Sequence, residues 1–327
     1  MRSMKLAAAV LLGVITLVQQ SLGQPVSGYP AGPIKWIVPL PPGGITDRIA
    51  RAYADKLKDA LGQPIVVENR PGANTLIGTE VVAQARADGH TFLSVTPPLL
   101  TGAVMYPKAN WPKDVLQVFT PVSNLIRLTN VIVVPGNSPY MTIWDLIRTG
   151  KADPTPVAYG ASSLGSVIHL AMEEFGLRSG VRINVVAYKG GPPMLTDLIG
   201  GHLSLAVDNL TNSLPQIRAG KLRALLVLSD IRNPAIPAVP TTADLGMKDF
   251  EASGWQGVAV AAGTPQHIVD RLEKEFIRIS ALPEIKHAFE GSGDVIVGST
   301  SAEFANLIRV QGQRNRELIR KLNIRPE

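Results

Sequence analysis

Glycine- and hydroxyl-rich loops precede two of the helices that this sequence predicts, and loops of this kind bind anions. The first loop contains Gly43, Gly44, Thr46 and Asp47. Glycines let a ligand approach the backbone closely, and the unpaired amides of a helix's first turn attract negative charge. Thr46 is predicted to cap the helix, and Asp47 suits its first turn. The alternative for this loop is an ordinary turn followed by a helix cap.

The second loop carries Ser163, Gly165 and Ser166. It offers another set of helix-start amides, with Ser166 as the expected cap, and an ordinary capped loop is again the alternative. His169 lies on the following helix and is predicted to be a packed or capping residue and not a base. The stretch 160–164 lacks the final glycine of the G-x-S-x-G pattern of serine hydrolases, which argues against a catalytic serine.

Three further polar residues stand where predicted strands end. Tyr188 is a candidate hydrogen-bond donor to a ligand, and Thr96 occupies the corresponding place after the third strand. Asp208 would repel an ionised carboxylate, so we expect it to orient water or to hold a neighbouring loop. Ordinary loop hydrogen bonding is the alternative for each of them.

The composition argues against several classes of function. The chain has no cysteine, which excludes disulfides, thiol catalysis and cysteine metal sites. Its five histidines are scattered without metal-ligand spacing, and neither a Walker A sequence nor G-x-G-x-x-G occurs, so no metal and no cofactor is predicted. The basic residues are dispersed and aromatic residues make up only 5%, which disfavours nucleic-acid binding.

The N-terminus has the pattern of a secretion signal. Arg2 and Lys5 precede the apolar run Leu6–Val18, whose 13 residues are too few to cross a bilayer. Ser21–Gly23 supplies small residues for cleavage, which we expect after Gly23. The sequence therefore predicts a soluble, periplasmic mature protein whose formal net charge falls from +6 to +4 on loss of Arg2 and Lys5.

Short β-branched runs alternate with segments of helical period through the rest of the chain. Strands are predicted at 34–40, 65–68, 91–95, 130–134, 157–159, 181–187, 203–207 and 222–228, and helices at 49–61, 77–85, 167–175, 193–199, 268–279 and 302–322. This alternation predicts parallel sheets covered by helices, in which ligands lie beyond the carboxyl ends of the strands. A chain of 327 residues is expected to form two lobes.

The chain resembles the Bug family, also called TctC-like, the extracytoplasmic solute-binding receptors of tripartite tricarboxylate transporters. The resemblance extends from Tyr29 to the C-terminus. Its motifs occur in the family's order: VPLPPGG with TD (38–47), LGQP (61–64), VENRPGA (67–73), ADGHT (87–91), YKG (188–190), DN (208–209), IRAGKLRAL (217–225), PAVPT (237–241) and AGTP (262–265).

The resemblance implies a type II periplasmic-binding-protein fold, with two α/β lobes and a ligand cleft between them. It divides the chain into a signal peptide at 1–23, lobe 1 at 24–126 plus 250–327, and lobe 2 at 127–249. It further implies a monomer, not an enzyme, that binds a small organic carboxylate and docks on membrane permease subunits. The ligand-binding residues that it implies are Gly43, Gly44, Thr46, Asp47, Thr96, Ser163, Gly165, Ser166, His169, Tyr188 and Asp208.

Departures from the family pattern bear on the ligand. Ala161 replaces the usual serine, Leu164 a small or polar residue, 74–76 a glycine-rich stretch, and 97–100 a hydroxyl-rich loop. These changes favour an apolar cleft and a ligand such as an aromatic dicarboxylate, for example terephthalate, over citrate. Two other roles remain as alternatives: delivery of a carboxylate to a sensor kinase, and a hydrolase or lyase on the same scaffold.

Overall fold

A computed structural model describes the chain in seven stretches. They are residues 28–105, 114–161, 166–188, 191–247, 250, 252–291 and 293–321. The predicted signal peptide and two of the predicted ligand-binding residues, Ser163 and Gly165, lie outside them. Within these stretches no helix combines the length and the apolar character needed to span a bilayer.

Strands and helices alternate along most of these stretches. The strands are β1 (Ile34–Val38), β2 (Ile65–Asn69), β3 (Thr91–Val95), β4 (Phe119–Leu128), β5 (Asn130–Pro135), β6 (Val157–Ala161), β7 (Ile183–Ala187), β8 (Leu205–Asn209), β9 (Leu222–Val227), β10 (Gly254–Ala261) and β11 (Val295–Ile296). The helices are α1 (Ile45–Leu61), α2 (Leu76–Ala83), α3 (Pro98–Met105), α4 (Val115–Val118), α5 (Ile143–Ala152), α6 (Val167–Ser179), α7 (Gly191–Ile199), α8 (Leu210–Arg218), α9 (Gln266–Ser280), α10 (Pro283–Glu290) and α11 (Ser301–Lys321).

The strands form two sheets, one in each lobe. The first has the order β11-β4-β10-β3-β1-β2, and the second has the order β7-β6-β8-β5-β9. Strands β10, β11 and β5 run against their neighbours, so the prediction of parallel sheets was wrong for these three. The reversal of β5 and β10 has a simple cause, since each carries the chain into a lobe from that lobe's carboxyl edge.

The path between the lobes places the two carboxyl edges opposite each other. Thr129 alone joins the end of β4 to the start of β5, and its carbonyl accepts a hydrogen bond from the Leu210 amide at 2.8 Å. The Asn130 side chain donates to the Ala252 carbonyl at 2.7 Å, which ties the outgoing connection to the returning one. The lobe boundaries at 126/127 and 249/250 stay a prediction; β4 continues to Leu128, two residues beyond the first.

Each sheet is covered by helices on both faces. In lobe 1 an aromatic cluster fills the face beneath α1 and α9, where the Trp36 ring meets Phe92 and Phe276 edge to face at 5.8 and 5.6 Å. The opposite face packs against α2, α3 and the first half of α11, with Phe304 fully buried. These cores fix the strands whose carboxyl ends carry the site.

The second half of α11 leaves lobe 1 and packs on lobe 2. Ile319 is buried against Leu170 of α6. Arg314 donates from Nε to the Glu174 carboxylate of α6 at 2.9 Å, and Arg178 binds the other carboxylate oxygen at 2.5 Å. Since the Glu174 side chain is only 7% exposed, this ion cluster is a buried contact between the lobes.

Phe250 lies beneath both guanidiniums of this cluster. The guanidinium carbons of Arg314 and Arg178 stand 5.3 and 5.5 Å from the centre of its ring. A cation over an aromatic face is attracted by the ring's quadrupole, so Phe250 helps to hold both arginines beside Glu174.

We expect Glu174→Gln to lower the free energy of unfolding by about 3 kcal/mol, because it replaces the buried carboxylate that both guanidiniums bind with a neutral amide of similar volume. Urea unfolding at pH 7 measures the loss. The matched control is Arg148→Ala, which breaks the exposed Arg148–Asp145 pair and should cost less than about 1 kcal/mol. Equal losses in the two variants would contradict a buried contact between the lobes.

Candidate functional site

The loop after β1 leads directly into the first turn of α1 at the carboxyl edge of lobe 1. Gly44 is the N-cap, with φ −71° and ψ 170°, and no side chain caps the helix. Thr46 is therefore not the cap, because the helix begins two residues earlier than a Thr46 cap would place it. The amides of Ile45, Thr46 and Asp47 have no acceptor within the helix and are available to an anion.

The side chain of Asp47 holds this loop in place through hydrogen bonds. Its carboxylate accepts hydrogen bonds from the Gly43 amide and from Arg51 Nε, both at 3.0 Å, and Gly43 has a φ of +83°. Burial alone would raise the pKa of Asp47, but the hydrogen bonds from Arg51, Gly43 and Asn69 outweigh it and hold that pKa below its usual range. The carboxylate thus stays ionised, and its charge is taken up by Arg51.

Polar contacts from the sheet pin the start of α1. Gln256 of β10 donates to the Thr46 carbonyl at 3.1 Å and to the Ser94 hydroxyl at 3.3 Å. The Trp36 indole donates to the same hydroxyl at 3.0 Å. The first turn of α1 is therefore held to three neighbouring strands, β1, β3 and β10.

Thr96 stands at the carboxyl end of β3, as the sequence predicted. It is 6% exposed, and its hydroxyl has no hydrogen-bond partner among the described residues. The chain turns at once into α3, where Leu99 and Leu100 are 3% and 4% exposed and belong to the lobe core. Interpreting them as part of an apolar cleft was wrong, since both side chains pack against the sheet.

At the edge of lobe 2, Ser166 caps α6 by accepting a hydrogen bond from the His169 amide at 3.3 Å, which confirms the predicted cap. His169 is buried, with Nε2 3.7 Å from Glu173, and the Tyr159 hydroxyl donates to the same carboxylate oxygen at 3.2 Å. Burial lowers the pKa of His169 and raises that of Glu173, so the imidazole is neutral at pH 7.

Tyr188 follows β7 at the same edge and uses its hydroxyl within the lobe. The hydroxyl donates to Asp197 of α7 at 2.8 Å, and the Tyr188 amide donates to the Ala161 carbonyl at 2.9 Å. Ala161 itself is fully buried in the core of lobe 2. Neither side chain therefore presents a free polar group to the cleft in this structure.

Asp208 holds the start of α8. It is 1% exposed and accepts hydrogen bonds from the Ser213 hydroxyl at 2.6 Å and from the Asn212 side chain at 3.2 Å. Burial raises the pKa of Asp208. Asp208 therefore holds the helix that follows it, where the sequence suggested a neighbouring loop, and its role towards a ligand stays a prediction.

The structure thus brings Gly43, Gly44, Thr46, Asp47 and Thr96 to one carboxyl edge, and Ser166, His169, Tyr188 and Asp208 to the edge opposite. Within the described stretches no group of three or more acidic or histidine residues is arranged to hold a metal ion. The arrangement offers hydrogen-bond donors at two facing helix starts, a geometry that binds anions.

Sequence reasoning missed two residues on which this edge depends. Arg51 follows Asp47 by four residues on α1, a spacing that favours an ion pair and was readable from the sequence. Gln256 had no such signal, because it reaches Thr46 across 210 positions.

Comparison with known proteins gives one family and several close structures. The model of the tripartite tricarboxylate transporter family receptor, TctC, matches residues 49–324. Protein BugT of Bordetella pertussis is 39% identical over 317 residues, covering 95% of this chain and 97% of BugT.

Two solved structures are similar over nearly their whole length. A TctC solute binding protein from Polaromonas matches with a TM-score of 0.81 and 27% identity, covering 90% of this chain and 99% of its own. The R. palustris protein Rpa4515, solved with adipate, matches with a TM-score of 0.73 and 32% identity, covering 91% of this chain and 100% of its own. These similarities confirm the predicted two-lobed α/β fold.

The buried, neutral His169 generates a prediction for pH. A base whose folded pKa lies below its unfolded value stabilises the fold fully above that unfolded value, 6.5, and loses the contribution as pH falls towards the folded pKa. We expect the free energy of unfolding to fall between pH 7.5 and 5.5, and to fall less in His169→Gln.

Denaturant unfolding at a series of pH values measures this difference. Glu173 has a raised pKa, so its contribution to stability changes with pH in the opposite direction. Because Glu173 is present in both proteins, this contribution largely cancels when the two profiles are compared. The exposed His267 supplies the control, since His267→Gln should keep the wild-type profile. A His169→Gln profile parallel to that of the wild type would refute the prediction.

Proposed function

We propose that this chain, which belongs to the tripartite tricarboxylate transporter receptor family, captures a small organic carboxylate between its lobes and delivers it to membrane permease subunits. The family is one of solute-binding receptors and not of enzymes. The observation that carries the proposal is that no side chain caps the start of α1, at the carboxyl edge of lobe 1. This helix start lies opposite the start of α6 on lobe 2.

The start of α1 suits a carboxylate because its donors are fixed before the ligand arrives. The amides of Ile45, Thr46 and Asp47 point out of the first turn, at the positive end of the helix dipole. The nearby charge of Asp47 does not oppose an anion, since its carboxylate is engaged by the Gly43 amide and by Arg51 at 2.9 Å. Each ligand oxygen therefore finds donors that offset its desolvation.

Lobe 2 completes the site when the lobes close. Ser166 supplies the second helix start. We assign Ser163 and Gly165, which precede it in the sequence, to the ligand as well. The hydroxyl of Thr96, which lacks a partner among the described residues, adds a donor from lobe 1. Hinged closure of two lobes over a bound solute traps it and changes the surface offered to a permease.

A dicarboxylate is the ligand class that we propose. Rpa4515, which is 32% identical to this chain, was solved with adipate. Two of the grounds for an apolar cleft fall away, since Leu99, Leu100 and Ala161 lie in the cores. An aromatic dicarboxylate such as terephthalate is therefore tested directly against adipate and citrate. We assign this capture to the periplasm. The protein that binds the ligand there is a monomer from which the signal peptide, residues 1–23, has been cleaved.

The test removes one amide donor from α1. Ile45 is the first helical residue, a position that accepts proline because its N–H has no helical partner, and the ψ of 170° at Gly44 suits a residue before proline. Ile45→Pro should weaken carboxylate binding about tenfold, the loss of one hydrogen bond to a charged group.

Ile45→Ala is the matched control, because it removes the same side chain and keeps the amide. A thermal-shift panel of adipate, terephthalate and citrate on the mature protein comes first, since a ligand at a hundredfold excess over its Kd adds about 2.7 kcal/mol of stability. Calorimetry with the tightest acid then compares the two variants. Equal affinities for them would place the carboxylate away from α1, and the absence of any stabilising acid would overturn the proposed function.

A further inference from the structure

We propose that a second small-molecule site lies between the lobes beside α11 and binds an amphipathic organic anion that carries a hydrogen-bond donor. A cavity of about 680 Å³ opens there, a size typical of small-molecule sites. Strands β4 and β10 form its floor, α11 forms one wall, and α6 with residues 230–231 of lobe 2 forms the other. None of the described residues assigned to the carboxylate cleft lines it.

An irregularity in β4 turns two polar side chains into this cavity. The register pairs Asn124 with Gly257 and Ile126 with Gln256, so Leu125 is an extra residue in β4. A bulge of this kind shifts the alternation of side chains, and it places Asn124 and Arg127 on the same face of the strand. Both residues line the cavity.

Among the described residues, Arg127 has no ion-pair partner and the side-chain oxygen of Asn124 has no hydrogen-bond donor. A ligand could supply both. The Arg127 side chain is half-buried and forms no ion pair with any described residue. Asn124 is 6% exposed, and its Oδ1 accepts no hydrogen bond from the described residues. A guanidinium binds a carboxylate strongly, and a buried carbonyl oxygen is stabilised by a hydrogen bond from an N–H or O–H donor.

Apolar side chains from both lobes line part of the cavity, beside polar and charged ones. Trp255 and Leu307 lie on the side of lobe 1, and the side chains of Val310 and Ile231 are 57% and 53% exposed. Large aliphatic side chains exposed on the walls of one cavity favour a ligand with an apolar body.

The acidic residues of the cavity do not exclude an anion. Glu174 is bound by Arg178 and Arg314, which offset its charge. Asp230 and Glu317 lie at exposed positions, where water and salt screen them, and the exposed Lys321 stands with them. The cation closest to the floor is therefore Arg127, on β4 itself.

Indole-3-acetate is the probe, because it combines a carboxylate, an N–H donor and an aromatic body. Naphthalene-1-acetate lacks the donor, and indole-3-acetamide lacks the charge. Titration calorimetry of the mature protein should give the tightest binding for indole-3-acetate and binding at least about tenfold weaker for each of the other two, the loss of one charge-assisted or buried hydrogen bond.

Two variants assign the binding to this cavity. Arg127→Gln removes the cation, and Val310→Glu places a carboxylate on the exposed rim, so each should weaken indole-3-acetate about tenfold or more. Val81→Glu is the matched control, since Val81 is 41% exposed on α2, away from the cavity, and should leave the affinity within about twofold. Circular dichroism verifies that all three fold.

The site is independent of the carboxylate cleft, and Ile45→Pro separates the two. That variant should leave the affinity for indole-3-acetate unchanged. Loss of the probe in Ile45→Pro, with wild-type affinity in Arg127→Gln and Val310→Glu, would place it in the cleft and overturn the second site. Absence of heat with the wild-type protein would overturn it as well.

Discussion

The structure depends on the way in which the chain crosses between its lobes. One residue, Thr129, joins β4 to β5, and it does so at the carboxyl edges of both sheets. Because the parallel strands of each sheet end at those edges, the described helix starts that follow such strands lie on the side of the other lobe. The helix starts at Gly44 and Ser166 owe their opposed positions to this connection and not to any direct contact between them.

Charged side chains are paired differently at the cleft and at the α11 contact between the lobes. At the cleft, charges are engaged within one lobe, as Asp47 is by Arg51, so the helix-start amides remain open to a ligand. At α11 the charges meet across the lobes, where Glu174 binds Arg314. The first arrangement leaves donors for a solute, and the second joins the two lobes at α11.

Local signals predicted much of the fold and part of the site. The β-branched runs located eight of the eleven described strands within a few residues but missed β4, β10 and β11 of lobe 1. A hydroxyl before a helical period identified Ser166 as a cap. The assignment of Thr46 as a cap was wrong because glycine also caps helices and leaves no side-chain signature. Leu99 was misread as cleft lining because burial depends on the sheet against which it packs. Gln256, the antiparallel course of β10 and the bulge at Leu125 all arise from pairing between distant segments, which no local pattern encodes.

Strand β10 lies between β3 and β4 in the sheet of lobe 1, although it follows them by the whole of lobe 2. Until residues 254–261 are available, β3 and β4 each lack the partner that lies between them, and the hydrogen-bonding groups along the edges that face β10 are unpaired. The strands of lobe 2 come from one uninterrupted segment, so they can pair as soon as that segment is complete. The order of synthesis therefore delays completion of the lobe 1 sheet until β10 has been made, whereas the lobe 2 sheet can form earlier.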